Sequence, residues 1–360
     1  MIGDVALIEP VRLVLVTVIG FLSSTLGTYC LIRYLAKRQI LDRPNERSSH
    51  EVPTPRGGGI AVLGAVVLAW LTGLGLSTGI EASDLVILLA AVMLGAVCFI
   101  DDLGGLGAVP RLIAQVLAVI PGLWFISETG GLFQSVLPAA LDIAATGFLW
   151  LWFINLFNFM DGIDGISGVE IATVGIGLAG LAALGVASPT VLGPALSLTA
   201  AALGFLVWNW RPAKIFMGDV GSVPMGYLIG WLLISAAPDT GGVGDSDASA
   251  PLSDQVAWLI LPAYYLADAS ITLARRLLRK ENILQAHRQH FYQKAVIRGV
   301  GHATVCAWII AANAGLVITA WLVAPTRTAM ALGVAAVIVA ALLARMAAPW
   351  RAPRRPAEAE

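Results

Sequence analysis

Long uninterrupted apolar runs constrain this chain of 360 residues more than any other feature. A helix needs about 17–25 apolar residues to cross about 30 Å of hydrocarbon, and the runs have that length. They do not alternate between apolar and polar residues, which excludes a transmembrane β-barrel. Charged residues make up 12% of the chain, against about 25% in a soluble domain. The sequence predicts an all-α polytopic integral membrane protein and excludes a nucleic-acid-binding domain with a basic face.

Eleven runs are candidate membrane spans. They begin near Val11, Gly58, Asp84, Arg111, Ala140, Ile166, Thr190, Val223, Leu252, Ala303 and Thr328. Cytoplasmic loops carry an excess of Lys and Arg. Placing the N-terminus outside leaves only Arg12 and Arg327 on the outer face. We therefore expect an external N-terminus, a cytoplasmic C-terminus and a single membrane domain over residues 1–348. A disordered cytoplasmic tail rich in Pro and charge is expected at 349–360.

Five polar segments interrupt the apolar pattern, and this topology places all five on the inner face. They are residues 42–59, the pair Asp101-Asp102, residues 155–165, residues 211–222 and the loop 275–301. Random placement would divide them between the two sides of the membrane. Their convergence predicts one site that faces the cytosol.

Carboxylates and amides dominate three of these segments. The adjacent Asp101 and Asp102 repel each other at a helix end, which favours a divalent cation or a bound proton; a solvated pair that simply ends the helix is an equal alternative. NLFNFMDGIDG holds four side chains with oxygen atoms, which suit a hard cation or the polar edge of a nucleotide; a Gly-Asp turn is the alternative. These four are Asn155, Asn158, Asp161 and Asp164.

The segment KIFMGDVGS places Asp219 between two glycines, with Lys214 five residues earlier. Small residues beside a carboxylate leave room for a metal ion and a phosphate, and the N-terminus of the following helix can receive an anion. A turn with Ser222 as the helix cap is the alternative.

Basic side chains dominate the remaining segments. In HRQHFYQ, two imidazoles and a guanidinium suit phosphate oxygens, and contact with anionic lipid is the alternative. Zinc is disfavoured there, because no Cys or third His lies nearby. In the first loop, Ser48 and His50 precede a run of glycines that can cradle phosphate. The chain has no GxxxxGK[ST] motif, which excludes a P-loop NTPase.

Together these segments resemble one family. DRPNERSSHEVPTPRGGG, the FIDD that ends a helix, NLFNFMDGIDGISGVE, KIFMGDVGS and AHRQHFYQ occur in the order seen in the polyprenyl-phosphate N-acetylhexosamine-1-phosphate transferases (glycosyltransferase family 4). The family includes undecaprenyl-phosphate GlcNAc-1-phosphate transferases and phospho-MurNAc-pentapeptide transferase. The match extends from about residue 37 to 294.

The resemblance implies an Mg²⁺-dependent phosphotransferase, with Mn²⁺ as a substitute ion. It would transfer N-acetylhexosamine-1-phosphate from a UDP-N-acetylamino sugar to undecaprenyl phosphate, release UMP and start a surface glycan. It also implies a bacterial inner-membrane location with a cytoplasmic active site, and it allows a homodimer. The implied catalytic residues are Asp101, Asp102 and Asp219, and the implied metal ligands are Asn158 and Asp219. The implied substrate-binding residues are Ser48, His50, Asn155, Asp161, Asp164, Lys214, His287, Arg288 and His290.

Other readings stay open at this stage. The phospho-MurNAc-pentapeptide branch carries three consecutive histidines where this chain has HRQH, so a muropeptide donor is an alternative that the loop disfavours. A transporter would place ionisable residues near mid-membrane, and Asp142, Glu170 and Asp268 are the candidates. A non-catalytic scaffold for glycan assembly is the third alternative.

Overall fold

The structure is a computed structural model. It describes residues 2–39, 41–42, 52–77, 79, 81–127, 130–133, 136–237, 257–282, 285, 287–323 and 327–350. Its helices are α1 (Ile2–Lys37), α2 (Gly59–Gly75), α3 (Ala82–Gly104), α4 (Ala108–Ile126), α5 (Ala139–Met160), α6 (Ile166–Ala183), α7 (Leu192–Asn209), α8 (Asp219–Ile234), α9 (Ala263–Leu278), α10 (Phe291–Ile297), α11 (His302–Leu322) and α12 (Thr328–Ala347). A 3₁₀ turn, Pro189–Val191, precedes α7.

The described helices fit the predicted class of membrane protein. Eight of them are long and apolar enough to cross a membrane, and α2 and α8 are apolar but shorter. The predicted ninth span starts within 251–256, outside the described residues, and its described continuation includes the 16-residue helix α9. The count of eleven spans and the orientation of the termini stay predictions.

Two helices differ from the sequence prediction. Helix α1 begins at Ile2 and passes through Pro10, whereas the first apolar run begins near Val11. Pro10 is the ninth residue of this helix, so the helix lacks the hydrogen bond that its N–H would otherwise donate to the carbonyl four residues earlier. The seven-residue helix α10 lies inside the segment 275–301, for which the sequence predicted only a loop.

The centre of the helix bundle is formed by α6, α7 and α8. In α6, 78% of the 18-residue apolar stretch is buried inside the protein, whereas in α1 only 22% of the corresponding stretch is buried. Helix α6 packs against α7 and α11, and α8 packs between α3 and α5. The outer helices therefore present apolar surface to the surrounding lipid.

Backbone contacts attach the start of α2 to the start of α8. The N–H groups of Gly57 and Gly58 donate to Phe216 O at 3.1 and 2.8 Å, and Gly59 N–H donates to Met217 O at 2.9 Å. A side chain at Gly59 would overlap the backbone of Gly221, so both positions need glycine for this approach. The preceding residues Thr54–Pro55 (β2) pair with Leu41–Asp42 (β1) in a short antiparallel ladder.

Candidate active site

Three aspartates and two arginines form an alternating charge network at the helix ends. Arg56 contacts Asp102 Oδ1 at 3.1 Å and Asp219 Oδ1 at 2.8 Å. Arg111 contacts Asp101 Oδ2 at 3.0 Å and Asp219 Oδ2 at 2.9 Å. Asp219 therefore lies at the centre, with a guanidinium group on each oxygen. Three carboxylates and two guanidinium groups leave one net negative charge.

Each member of this network comes from a helix terminus. Asp101 and Asp102 lie in the last turn of α3, which ends where Gly105 adopts φ 69° and donates its N–H to Asp101 O. Asp219 opens α8, where a carboxylate interacts favourably with the helix dipole. The two arginines lie just before α2 and in the first turn of α4. Segments separated by up to 163 residues in sequence thus meet in one charged cluster.

The turn between α5 and α6 adjoins the network. Asn158 Oδ1 accepts a hydrogen bond from Ser222 Oγ at 2.6 Å, in the first turn of α8. Asp161 Oδ1 accepts one from Ser167 Oγ at 2.7 Å. Burial raises the pKa of Asp161 to about 6; Ser167 opposes this shift, and the charge of Asp219 adds to it. Asp161 is therefore in electrostatic contact with the network.

The loop before α10 packs against the same turn. His287 and His290 lie with their ring centroids 4.9 Å apart, and His290 stacks on Tyr292 at 5.8 Å. The Tyr292 hydroxyl donates to Phe159 O at 3.2 Å, and a side chain at Gly162 would overlap that hydroxyl. The histidine-containing loop is thereby attached to the end of α5.

Arg288 lies in the same loop, partly buried, and interacts electrostatically with Tyr292. Burial raises the pKa of the Tyr292 hydroxyl well above its usual value, and the charges of Asp268 and Asp161 add to the shift. Tyr292 therefore stays a neutral hydrogen-bond donor at physiological pH.

Two predicted binding residues have other partners in the structure. Asn155 donates to Gln115 Oε1 at 2.7 Å. Lys214 lies over the Trp208 ring, 5.0 Å from its centroid. Their assignment to substrate stays a prediction.

The Asp164 side chain contacts residues outside the charge network. Its carboxylate accepts from Ala213 N–H at 3.1 Å and lies 3.3 Å from His302 Nδ1 and 3.5 Å from Arg211. Burial raises the pKa of Asp164, but these partners outweigh burial and hold it below its usual value. The contacts link the α5–α6 turn to α11. A role for Asp164 toward substrate also stays a prediction.

Ser48 and His50 lie outside the described residues. Arg56 and Arg111, by contrast, are central to the network and were not selected from the sequence. A signal was available, because three acidic residues predicted at one site need nearby cations.

The three candidates for a transporter each have local partners. Asp142 accepts from the N–H groups of Gly131 and Phe133 at 2.8 and 2.7 Å and so anchors the segment before α5. Glu170, buried in α6, accepts from Asn313 Nδ2 at 2.7 Å. Asp268 contacts the histidine-containing loop. None of these contacts resembles a chain of ionisable groups across the membrane.

The donor set suits a hard divalent cation. Asp102 Oδ2 is buried and has no hydrogen-bond partner among the described residues, and the Asp219 and Asn158 oxygens lie on adjoining helix ends. Carboxylate and amide oxygens are the ligands that Mg²⁺ prefers. Within the described part of the chain, no three His, Cys, Asp or Glu side chains are already gathered as a ligand set. Arginines separate the carboxylates instead.

Fold and site together define a membrane-embedded protein with a charged site where its apolar helices end. Residues 85–237 match the family model described as "Glycosyl transferase family 4". A decaprenyl-phosphate N-acetylglucosaminephosphotransferase from Mycolicibacterium smegmatis is 32% identical over 335 residues, which cover 82% of this chain and 79% of that protein. A probable undecaprenyl-phosphate N-acetylglucosaminyl 1-phosphate transferase from Bacillus subtilis is 28% identical over 305 residues, covering 81% and 79%.

A phospho-N-acetylmuramoyl-pentapeptide-transferase from Mycobacteroides abscessus is also similar, at 29% identity over 273 residues, covering 62% of this chain and 76% of that protein. The chain belongs to glycosyl transferase family 4, as its sequence motifs indicated. It is a multi-pass membrane enzyme of the phosphotransferase type.

Proposed function

We propose that this protein transfers N-acetylhexosamine-1-phosphate from a UDP-linked amino sugar to a polyprenyl phosphate and releases UMP. An oxygen of the acceptor phosphate forms a bond to the β-phosphorus of the donor. The bond from that phosphorus to the bridging oxygen breaks, and UMP leaves with the electron pair. The observation that carries the proposal is the Asp–Arg network at the ends of otherwise apolar helices.

The network suits a reaction between two polyanions. Arg56 and Arg111 each bridge two carboxylates, so both guanidinium groups are held where a phosphate can replace a carboxylate as partner. Arginine binds phosphate through a planar set of donors. Asp101 then positions the acceptor. A phosphate monoester has a second pKa of about 6 and is already an anionic nucleophile near neutral pH.

Asp219 and Asn158 are the residues that would hold Mg²⁺, with the buried Asp102 Oδ2 beside them. When bound, this ion neutralises diphosphate charge and stabilises the departing phosphate. Arg56 and Arg111 remain as counter-charges for the aspartates and the phosphates. In the histidine-containing loop, His287, Arg288 and His290 bind the diphosphate oxygens.

The position of the network also suits a lipid acceptor. Ionised groups at mid-bilayer cost about 2.5–3.5 kcal/mol or more each, whereas helix ends meet water. The polyprenyl tail stays among the apolar helices and presents only its phosphate. We propose eleven spans, an external N-terminus and a site on the cytoplasmic side of the bacterial inner membrane, where UDP-sugars are available.

The test is a defined assay with purified protein, undecaprenyl phosphate, Mg²⁺ and a panel of UDP-amino sugars, scored by UMP release. UDP-N-acetylglucosamine is the first donor to test, because the names of two relatives specify N-acetylglucosamine. Deoxy amino sugars and UDP-MurNAc-pentapeptide complete the panel. Asp219→Asn should abolish release, and Asp142→Asn, which alters a buried carboxylate remote from the network, should retain it. Uptake of UDP-sugar into vesicles without UMP release would refute the proposal in favour of transport.

A further inference from the structure

Five basic side chains form a cluster where α9 and α10 end. Arg275 and Arg279 are four residues apart at the end of α9, and Lys294 and Arg298 have the same spacing at the end of α10. Lys280 follows Arg279 directly. Residues four apart share one face of a helix, and like charges at that spacing repel each other. The helix dipole favours a cation in the last turn, but it does not remove this repulsion between the side chains.

The two basic pairs lie close together in space. The Arg275 guanidinium lies over the ring of Phe291, the first residue of α10, 4.8 Å from its centroid. Burial lowers the pKa of Lys294, and the charges of the three arginines in the cluster lower it further. Residues from two different helices therefore concentrate positive charge on one part of the surface.

The acidic residues nearby already have other partners. Glu281 interacts with one arginine of the cluster, but its carboxylate accepts from Arg276 Nε at 3.0 Å and from Gln289 Nε2 at 2.8 Å. Asp268, the other nearby acid, is fully buried and accepts from Phe291 N–H at 2.9 Å. None of the five basic side chains forms an ion pair with a carboxylate of the described residues. The cluster therefore keeps an excess of positive charge.

Exposed apolar side chains lie beside the cluster. Leu277 and Leu278, between the two arginines of α9, are 65% and 83% exposed, and Ile297, next to Arg298, is 57% exposed. Apolar and basic side chains on one exposed surface are typical of a helix end at the membrane interface, where the apolar groups enter the acyl region and the cations meet headgroups. A free phosphate ion would gain nothing from the leucines, so this surface fits a lipid.

We propose that the ends of α9 and α10 form a binding site for the phosphate headgroups of anionic phospholipids. A bound headgroup relieves the repulsion among the cations, and arginine donates charge-assisted hydrogen bonds to phosphate oxygens. Arg298 lies eight residues after His290, about 12 Å further along the chain at the helical rise. The site is therefore separate from the proposed diphosphate site. The groups that would contact the phosphate are Arg275, Arg279, Lys280, Lys294 and Arg298.

Native mass spectrometry of the full chain in detergent tests the site. The wild-type protein should bind dioleoyl phosphatidylglycerol more tightly than dioleoyl phosphatidylcholine. Arg279→Gln combined with Lys294→Gln removes two side chains without a hydrogen bond or ion pair among the described residues, so the fold should persist. Each basic residue near a membrane surface contributes about fivefold in affinity. The double variant should therefore bind phosphatidylglycerol about 25-fold more weakly, with unchanged binding of phosphatidylcholine.

Two further double variants are the controls. Arg33→Gln combined with Arg38→Gln removes the same charge near the end of α1, where each arginine lies over a tyrosine ring, and should keep the wild-type affinity for phosphatidylglycerol. Arg279→Lys combined with Lys294→Arg keeps both charges and should also keep it. Equal losses in both charge-removing variants, or no loss when Arg279 and Lys294 become Gln, would overturn the proposal. Inorganic phosphate that displaces the lipid at equal concentration would also overturn it, because the site would then take a free anion.

A second readout uses the wild-type protein in a bilayer. Hydrogen exchange is compared between nanodiscs of phosphatidylcholine alone and nanodiscs with equal parts of phosphatidylcholine and phosphatidylglycerol. Residues 275–280 and 294–298 should exchange more slowly where phosphatidylglycerol is present, and equal rates in the two bilayers would refute the proposal. Neither measurement uses UMP release, so failure of the proposed function would leave this inference standing.

Discussion

A methyl group placed on Gly59 tests whether the α2–α8 contact holds Arg56 in the charge network. In the reciprocal case, a Cβ on Gly221 would lie 2.5 Å from Gly59 Cα, whereas carbon atoms pack at about 3.5–4.0 Å. Relief requires the two helices to separate by about 1 Å. Backbone atoms cannot rotate aside as a side chain can, so the overlap is relieved only by moving one helix relative to the other.

The displacement should reach the site directly. Arg56 lies three residues before Gly59, and its 2.8 Å contact with Asp219 would lengthen to about 3.8 Å if α2 moved by about 1 Å. Overpacking of this kind costs about 1–3 kcal/mol of stability. A misplacement of about 1 Å in a catalytic group can cost about 10²-fold in rate. We therefore expect Gly59→Ala to lose about two orders of magnitude in kcat.

The assay measures UMP release beside thermal unfolding in the same detergent. Gly64→Ala is the matched control, since Gly64 lies on the same helix with no atom within 4 Å of an added Cβ. It should keep wild-type kcat and melting temperature. Gly59→Ala with the kcat and stability of Gly64→Ala would refute the view that backbone contact between α2 and α8 positions the network.

Three further outcomes follow from the charged and polar contacts. Arg111→Gln leaves two carboxylates without their shared cation, so the unfolding free energy should fall by about 1–2 kcal/mol and UMP release at least about tenfold; an unchanged melting temperature and rate would contradict this. Asp161, with a folded pKa of about 6 against about 3.9 unfolded, should make the metal-free protein less stable as pH rises from about 4 to about 6. Thermal unfolding should show this loss in the wild-type protein and a flatter dependence in Asp161→Asn, and equal slopes would refute it. Asn313→Leu removes the donor to Glu170 and should lower the unfolding free energy by about 1–3 kcal/mol with near-normal turnover per folded molecule, which calorimetry and UMP release check together.

The sequence predicts the helices well because membrane spans must satisfy their own backbone hydrogen bonds. An apolar run of sufficient length therefore identifies a helix almost regardless of its neighbours. Helix α10 was missed because it has only seven residues and because Asp268 of another helix accepts from its first N–H groups. Tertiary contacts of that kind leave no periodic pattern in the sequence.

The acidic residues of the site were predictable, but their partners were not. Asp101, Asp102 and Asp219 stand out because carboxylates are rare among apolar runs. Arg56 and Arg111 did not stand out, because cytoplasmic loops contain many arginines for topological reasons. Asp268 was considered only as a mid-membrane charge, because nothing in its local sequence indicates the contact with His290.

The backbone hydrogen bonds that join residues 57–59 to residues 216–217 hold these two stretches together as one rigid unit. Arg56 directly precedes the first stretch and Asp219 closely follows the second, so these two side chains cannot move apart independently. Hybrid enzymes assembled from two relatives should therefore inherit both stretches from the same parent. A crossover between them would pair residues 57–59 of one parent with residues 216–217 of the other.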